Sequence, residues 1–148
     1  MPESAVQLLE HALERLDVTE SLVHAYVNVD LESARSAAIA ADAMSPVGPL
    51  HGWPFAVKEV IEVSGIPTSG GSEVLAGHVP SEDATVVRRL RSAGAVLVGT
   101  QVSHELTCGL DEPPTRNPWA LDRYPGGSSA GGGVSVAVGS ARFALGTD

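Results

Sequence analysis

The most constraining feature of this sequence is a glycine-crowded segment near its end, residues 124–139 (Tyr-Pro-Gly-Gly-Ser-Ser-Ala-Gly-Gly-Gly-Val-Ser-Val-Ala-Val-Gly). Five of the 16 glycines of the chain fall within residues 126–133. Glycine permits sharp turns and close approach of the backbone to its neighbours, so we expect this segment to fold tightly around the adjacent hydroxyls of Ser128 and Ser129. Function is therefore expected late in the chain.

The secondary structure of this segment has two interpretations. If a helix begins near Gly131, the two serines lie at its positive end, where developing negative charge is stabilised. The alternation of Val134, Val136 and Val138 is instead typical of a strand. A flexible linker is disfavoured because apolar residues follow the glycines, and a phosphate-binding loop is disfavoured because the Lys-Ser/Thr ending of a P-loop is missing.

The rest of the chain alternates predicted helices and strands. Apolar spacings of three and four residues, together with capping residues, predict helices over residues 4–16, 30–44, 83–93 and 101–106. Short apolar or alternating runs predict strands over residues 24–29, 53–57, 95–98 and 143–145, and a proline-bearing loop is expected over residues 109–124. This order predicts an α/β fold with a partly parallel sheet, in one domain without internal repeats.

Composition excludes several classes of function. The 148 residues carry a formal net charge of −9, which repels phosphate backbones, so a broad nucleic-acid-binding surface is not expected. No apolar run is long enough to span a bilayer, and the first residues lack the pattern of a signal peptide. The single cysteine, Cys108, cannot form an internal disulfide, so the reducing cytoplasm is the expected compartment.

Most remaining side chains of interest are expected to be structural. Cys108 is predicted to be a buried small hydrophobe, since neither a helix start nor basic residues surround it. His104 and Glu105 are predicted to be surface residues, and neither a metal nor another cofactor is expected. The aromatic residues expected in the core are Trp53, Phe55, Trp119 and Phe143.

A serine in such a setting needs a base, because its hydroxyl is a weak nucleophile until the proton is removed. None of the five histidines lies in a recognisable nucleophile–base motif, and the chain lacks Gly-x-Ser-x-Gly. Lysine serves as a base where a low-dielectric site lowers its pKa and keeps the amine neutral. Lys58, at the end of an apolar strand, is the candidate, and the flanking Glu59 and Glu62 oppose such a shift if they point the same way.

Several motifs of this chain, in order, resemble those of the amidase-signature family. The lysine motif, the helix–strand segment after it and the three parts of the signature region match residues 48–58, 83–99, 117–119, 125–129 and 144–148. The resemblance implies the N-terminal part of an amidase-signature fold, a mixed sheet flanked by helices, with residues 1–148 forming a partial domain. Two small departures are Glu59, where the family usually has Asp, and Ala130, where it usually has Gly.

The resemblance also implies a Ser-cisSer-Lys triad. Lys58 matches the lysine base, and Ser128 matches the serine that follows a cis peptide bond and relays the proton. We therefore expect the Lys58 amine within hydrogen-bond distance of the Ser128 hydroxyl, and a cis bond between Gly127 and Ser128. The residues expected to bind the substrate, a small-molecule amide, are Thr107, Cys108, Gly109 and Ser129.

The nucleophilic serine of the family follows the Gly-Thr-Asp element, which here is residues 146–148. The expected activity of the parent enzyme is hydrolysis of a carboxamide C–N bond through a serine acyl-enzyme. The isolated 148-residue chain, which ends before that serine, is expected to be inactive and to self-associate through an uncovered sheet edge or core face. Two alternatives remain open: an A-type subunit of a glutamine amidotransferase acting on tRNA-bound acids, and a non-catalytic fragment that serves in folding or assembly.

Overall fold

The structure, a computed structural model, describes residues 3–110 and 112–148. Helices and strands alternate along these residues, which confirms the predicted α/β class. The helices are α1 (Ala5–Val23), α2 (Leu31–Asp42), α3 (Thr85–Ser92) and α4 (Ala130–Val138), and the strands are β1 (Tyr26–Val29), β2 (Pro54–Lys58), β3 (Val96–Gln101) and β4 (Phe143–Leu145). Two short 3-10 turns, Glu73–Leu75 and Glu105–Thr107, lie in the connections.

The four strands form one mixed sheet in the order β1–β3–β2–β4. β1 runs antiparallel to β3, whereas β2 runs parallel to both β3 and β4. The chain crosses from β2 to β3 through α3, as parallel neighbouring strands require. The predicted partly parallel sheet is confirmed, and the parallel strands bring the C-terminal ends of β2, β3 and β4 together at one end of the sheet.

The core covers both faces of this sheet. On one face, α1 and α2 pack against β3 through a buried cluster of small and branched apolar residues: Leu9, Leu13, Ala34, Ala38, Val96 and Val98. On the other face, Phe55 and Val57 of β2 pack against Val87 of α3. Because side chains alternate along a strand, Ala56 and Lys58 point away from this second cluster, as predicted.

Helix α1 is longer than predicted. The capping box expected at Ser4 is present, but the helix runs beyond residue 16 to Val23. Val23 is buried against Val134 of α4, and this tertiary contact favours the extra turns. His24 then ends the helix in the left-handed conformation (φ 49°), so β1 begins at Tyr26 and not at residue 24.

The glycine-rich segment forms helix α4, so the helix is the correct one of the two interpretations. Val134 is buried and Val138 half-buried, four residues apart on the core-facing side, whereas Val136 is 42% exposed. At Gly131 the helix lies directly against the backbone of the sheet, since a Cβ there would be only 2.8 Å from the Val102 nitrogen. Close packing against the sheet overrides the alternating pattern of valines.

Other predictions are wrong in the loops. Residues 101–106 do not form a helix, because Gln101 belongs to β3 and only the 3-10 turn follows. His104 is buried where its ring packs against Tyr124, and Cys108 is exposed beyond that turn. Trp119 is 80% exposed because it lies in a tight turn closed by the bridge between residues 117 and 120, so it is not part of the core. Residue 111 of the predicted loop lies outside the described residues.

Candidate active site

Lys58 is the last residue of β2, a strand whose residues are all buried. It is only 1% exposed, and its Nζ donates hydrogen bonds to Ser128 Oγ at 2.6 Å and to Thr147 Oγ1 at 2.9 Å. Burial lowers the pKa of the Lys58 amine, while the charge of Asp148 opposes that shift. The predicted proximity of Lys58 and Ser128 is confirmed, and the one lysine of the sequence lies where a neutral amine is favoured.

Ser128 lies between the glycine turn and α4. The peptide bond between Gly127 and Ser128 is cis, as expected. The Ser128 carbonyl accepts a hydrogen bond from the backbone N–H of His104 at 3.1 Å, so the segment after β3 holds this residue by its main chain. Its hydroxyl faces Lys58, close to the N-terminal end of α4, where unpaired backbone N–H groups favour negative charge.

Thr147 is a site residue that the sequence analysis missed. It lies two residues after β4 and accepts a hydrogen bond from Lys58. It also pairs with Ser129, whose Oγ donates to the Thr147 carbonyl at 3.1 Å and accepts from the Thr147 N–H at 3.2 Å. A signal was present, because residue 147 belongs to the matched motif over residues 144–148, but nothing in the sequence distinguished it from its neighbours there.

A histidine–tyrosine pair packs against the turn before Ser128. His104 Nε2 and the Tyr124 hydroxyl share a hydrogen bond, and the two ring centroids are 5.5 Å apart. Gly127 lies so close to both side chains that a Cβ at this position would overlap them. The turn that presents Ser128 to Lys58 therefore requires glycine at residue 127.

The residues predicted to bind substrate are divided between neighbouring surfaces. Ser128 and Ser129 line an open cavity of about 330 Å³, together with Trp119 and Thr147. Thr107 instead lines an adjoining, largely apolar cavity of about 720 Å³. The structure thus brings Ser129 to the Lys58–Ser128 pair but places Thr107 in the next cavity.

The other two predicted residues lie on the outer side of the histidine. Gly109 contacts the His104 ring, since a Cβ there would be 3.3 Å from Nδ1, and through this ring it adjoins the turn at Gly127. Cys108 is exposed on the same loop. The loop before it has an unusual backbone, with Leu106 (φ 46°) and Thr107 (φ 61°) in the left-handed region.

The polar groups gathered at the site are one amine and three hydroxyls, from Lys58, Ser128, Ser129 and Thr147. A buried amine with a lowered pKa can accept a proton from a hydroxyl within hydrogen-bond distance. Across residues 3–110 and 112–148, no cluster of three or more His, Cys, Asp or Glu side chains is placed to hold a metal ion. In the same part of the chain, no helix combines the length and apolar character needed to cross a membrane.

Comparison with known sequences finds relatives along nearly the whole chain. The family model described as Amidase matches residues 7–148. The A-type subunit of the glutamyl-tRNA(Gln) amidotransferase of Salinispora arenicola (strain CNS-205) is 42% identical over 154 residues, which cover 98% of this chain and 31% of that protein. The similarity therefore includes every element described above.

Solved structures share the same architecture. A crystal structure of an amidase superposes with a TM-score of 0.89 at 37% identity, covering 99% of this chain and 35% of that chain. The native peptide amidase from Stenotrophomonas maltophilia superposes with a TM-score of 0.88 at 31% identity, covering 96% of this chain and 32% of that chain. The mixed sheet flanked by helices is thus the fold of these amidases, and this chain spans about a third of the length of the relatives it matches.

Proposed function

Since this chain belongs to the amidase family, we propose that it takes part in hydrolysis of a carboxamide C–N bond through a serine acyl-enzyme. Lys58 is the general base and Ser128 is the proton relay. The observation that carries this proposal is the 2.6 Å hydrogen bond from Lys58 Nζ to Ser128 Oγ. The amine that makes this bond is buried, and burial lowers its pKa against the opposing charge of Asp148.

The reaction proceeds by proton transfers between three groups. The neutral Lys58 amine takes the proton of Ser128 while Ser128 takes the proton of the nucleophilic serine, which the family resemblance places after Asp148. The nucleophilic oxygen bonds to the amide carbon, and as the C–N bond breaks the proton returns through Ser128 to the leaving nitrogen. Water then attacks the resulting ester by the same route and releases the acid.

Thr147 and Ser129 support this pair. Thr147 Oγ1 accepts the second hydrogen bond of the Lys58 amine and so aims that amine at Ser128. We place a small-molecule amide in the cavity lined by Ser128 and Ser129, with Thr107, Cys108 and Gly109 at its outer rim. Residues 1–148 then form part of one amidase domain, in a cytoplasmic protein that is able to self-associate.

A second candidate function is amide transfer to a tRNA-bound acid. The observation that favours it is the 42% identity with the A-type subunit of a glutamyl-tRNA(Gln) amidotransferase, over 98% of this chain. The same base and relay would serve, because ammonia must first be released from glutamine. The net charge of −9 argues against direct contact between this segment and tRNA.

The test measures ammonia released by the intact protein from a panel of simple carboxamides and from glutamine. Lys58→Ala and Ser128→Ala are each expected to lower kcat by about 10⁴- to 10⁶-fold, since the members of a catalytic triad act as a unit. Ser92→Ala removes an exposed hydroxyl of α3 and is the matched control, which should retain full turnover.

The outcomes separate the two candidates. Turnover of simple amides that is lost in both site variants supports the amidase. Ammonia release that requires glutamine and glutamyl-tRNA(Gln), and is lost in the same variants, supports the amidotransferase. Turnover that persists unchanged in Lys58→Ala contradicts the base–relay assignment under either candidate.

A further inference from the structure

Glu59 is a buried carboxylate next to Lys58 that the proposed reaction does not use. It is 2% exposed, and no ion pair to it is found within residues 3–110 and 112–148. Removing a carboxylate from water is costly unless hydrogen bonds replace the lost hydration. The donors that surround Glu59 therefore decide whether it can remain ionised there.

Neutral donors from two different loops surround this carboxylate. Ser103 donates to Oε1 through both its backbone N–H and its hydroxyl, each at 3.2 Å. The Ser69 hydroxyl donates to Oε2 at 2.9 Å. One side chain thus ties the end of β2 to the segment after β3 and to the loop that contains Ser69.

These two loops are also joined to each other. The Ser72 hydroxyl donates to Glu105 Oε1 at 2.7 Å, and the Leu106 backbone N–H donates to the Gly70 carbonyl at 2.7 Å. A displacement of either loop is therefore transmitted to the other. Glu59 is the buried contact that anchors both loops to the sheet.

The segment after β3 is the one that holds Ser128. Ser103 immediately precedes His104, whose backbone N–H donates to the Ser128 carbonyl at 3.1 Å. Lys58 reaches the Ser128 hydroxyl directly, at 2.6 Å. Two consecutive residues of the chain thus hold the same serine, one by its side chain and the other through the backbone that supports it.

We propose that Glu59 is a positioning residue, which sets the distance between Lys58 and Ser128 by accepting hydrogen bonds from Ser103 and Ser69. This inference rests on the proposed base–relay pair and adds to it a residue that touches neither the substrate nor the reacting hydroxyl. The Asp that is usual at this position in the family is one methylene shorter. In this chain the span to both loops depends on the longer side chain.

The test compares Glu59→Ala, Glu59→Gln and Glu59→Asp in the intact protein. A misplacement of about 1 Å can cost about 100-fold in rate, so kcat of Glu59→Ala should fall about 100-fold, with KM changed by less than about threefold. Glu59→Gln keeps an oxygen that accepts from Ser103, and its amide can donate to the Ser69 hydroxyl, so most of kcat should return. Glu59→Asp should lie between the two.

The matched control is Glu10→Gln. Glu10 is a surface acid of α1 that pairs with Arg35 at 2.8 Å, on a helix that provides no group to the site. Its substitution removes the same charge as Glu59→Gln and should leave kcat and KM unchanged. This control separates the position of the carboxylate from the net charge of the protein.

A second measurement does not depend on turnover. Acetic anhydride labels only a neutral and accessible amine, so the labelling of the Lys58 peptide across pH, followed by mass spectrometry, reports the environment of that amine. In Glu59→Ala the labelling rate at neutral pH should rise about fivefold, the factor that corresponds to one lost hydrogen bond. Glu59→Gln and Glu10→Gln should follow the unmodified protein.

The proposal requires both effects in Glu59→Ala, and the absence of either overturns it. Unchanged turnover in Lys58→Ala would overturn the base–relay function instead, and in that case the labelling profile alone decides whether Glu59 positions Ser128. If Glu59→Ala does not fold, Ser103→Ala removes one donor while Glu59 stays in place, and the same two measurements decide in the same way.

Discussion

Gly131 and Gly133 provide an internal test of how closely α4 packs on the sheet. They lie two residues apart in one helix, but their surroundings differ. A Cβ at Gly131 would lie 2.8 Å from the Val102 nitrogen and closer still to the Ala25 oxygen, both backbone atoms. A Cβ at Gly133 would meet no heavy atom of the described residues within 4 Å. We predict that alanine at these two positions changes stability in opposite directions.

The magnitudes follow from these contacts. Alanine in place of glycine stabilises a helix interior by roughly 0.5–1 kcal/mol where there is room, and Gly133→Ala should show this gain. At Gly131 the methyl must displace α4 and weaken the hydrogen bonds that Val102 makes with Ala25 and with Gly131, both 3.0 Å long. Overpacking costs about 1–3 kcal/mol and a lost hydrogen bond about 1 kcal/mol, so after the helix gain we expect a net loss of roughly 1–3 kcal/mol.

The assay is thermal and urea unfolding of the intact protein, followed by circular dichroism. Each kcal/mol should move the thermal midpoint by about 2–4 °C in a protein of 150–250 residues, and by less in a larger one. Turnover should also fall in Gly131→Ala, because Ser128 lies just before the displaced helix. Equal stability of Gly131→Ala and Gly133→Ala would refute the argument that backbone contact, and not helix propensity, requires glycine at residue 131.

Three further predictions follow from single contacts. Because burial lowers the pKa of Lys58 in the folded protein against the opposing charge of Asp148, the unfolded state binds more protons. The free energy of unfolding should therefore rise with pH from the lowered pKa up to about 10.4, and this rise should be missing in Lys58→Met; urea titrations from neutral to alkaline pH that run parallel for both proteins would contradict it. The Asp42 carboxylate accepts from the first two N–H groups of α1, at 2.6 and 3.1 Å, so Asp42→Ala should cost about 1 kcal/mol in urea unfolding and Asp42→Asn less; equal costs would argue against a capping role. The exposed thiol of Cys108 should react with Ellman's reagent in the native protein as fast as in urea, and a protected thiol would contradict the loop structure.

Local pattern was sufficient for much of the fold. The apolar periodicity of α1 and α3, the caps at Ser4 and Asp30 and the apolar runs of β2 and β3 depend on neighbours a few residues away, and these elements were predicted within a few residues of their ends. Their alternation was enough to predict a partly parallel sheet. The pairing of Lys58 with Ser128, which are 70 residues apart, was predicted by resemblance to a family and not by periodicity.

Only the tertiary structure decided the features that depend on contacts between distant segments. The valines of residues 134–138 alternate as in a strand, yet they form a helix because Gly131 lets α4 lie against Ala25 and Val102. His104 is buried because the turn at Gly127 packs on it, and Thr147 enters the site because β4 runs parallel to β2 and ends beside Lys58. None of these neighbours is adjacent in sequence, so no local pattern could have predicted the contacts that bring them together.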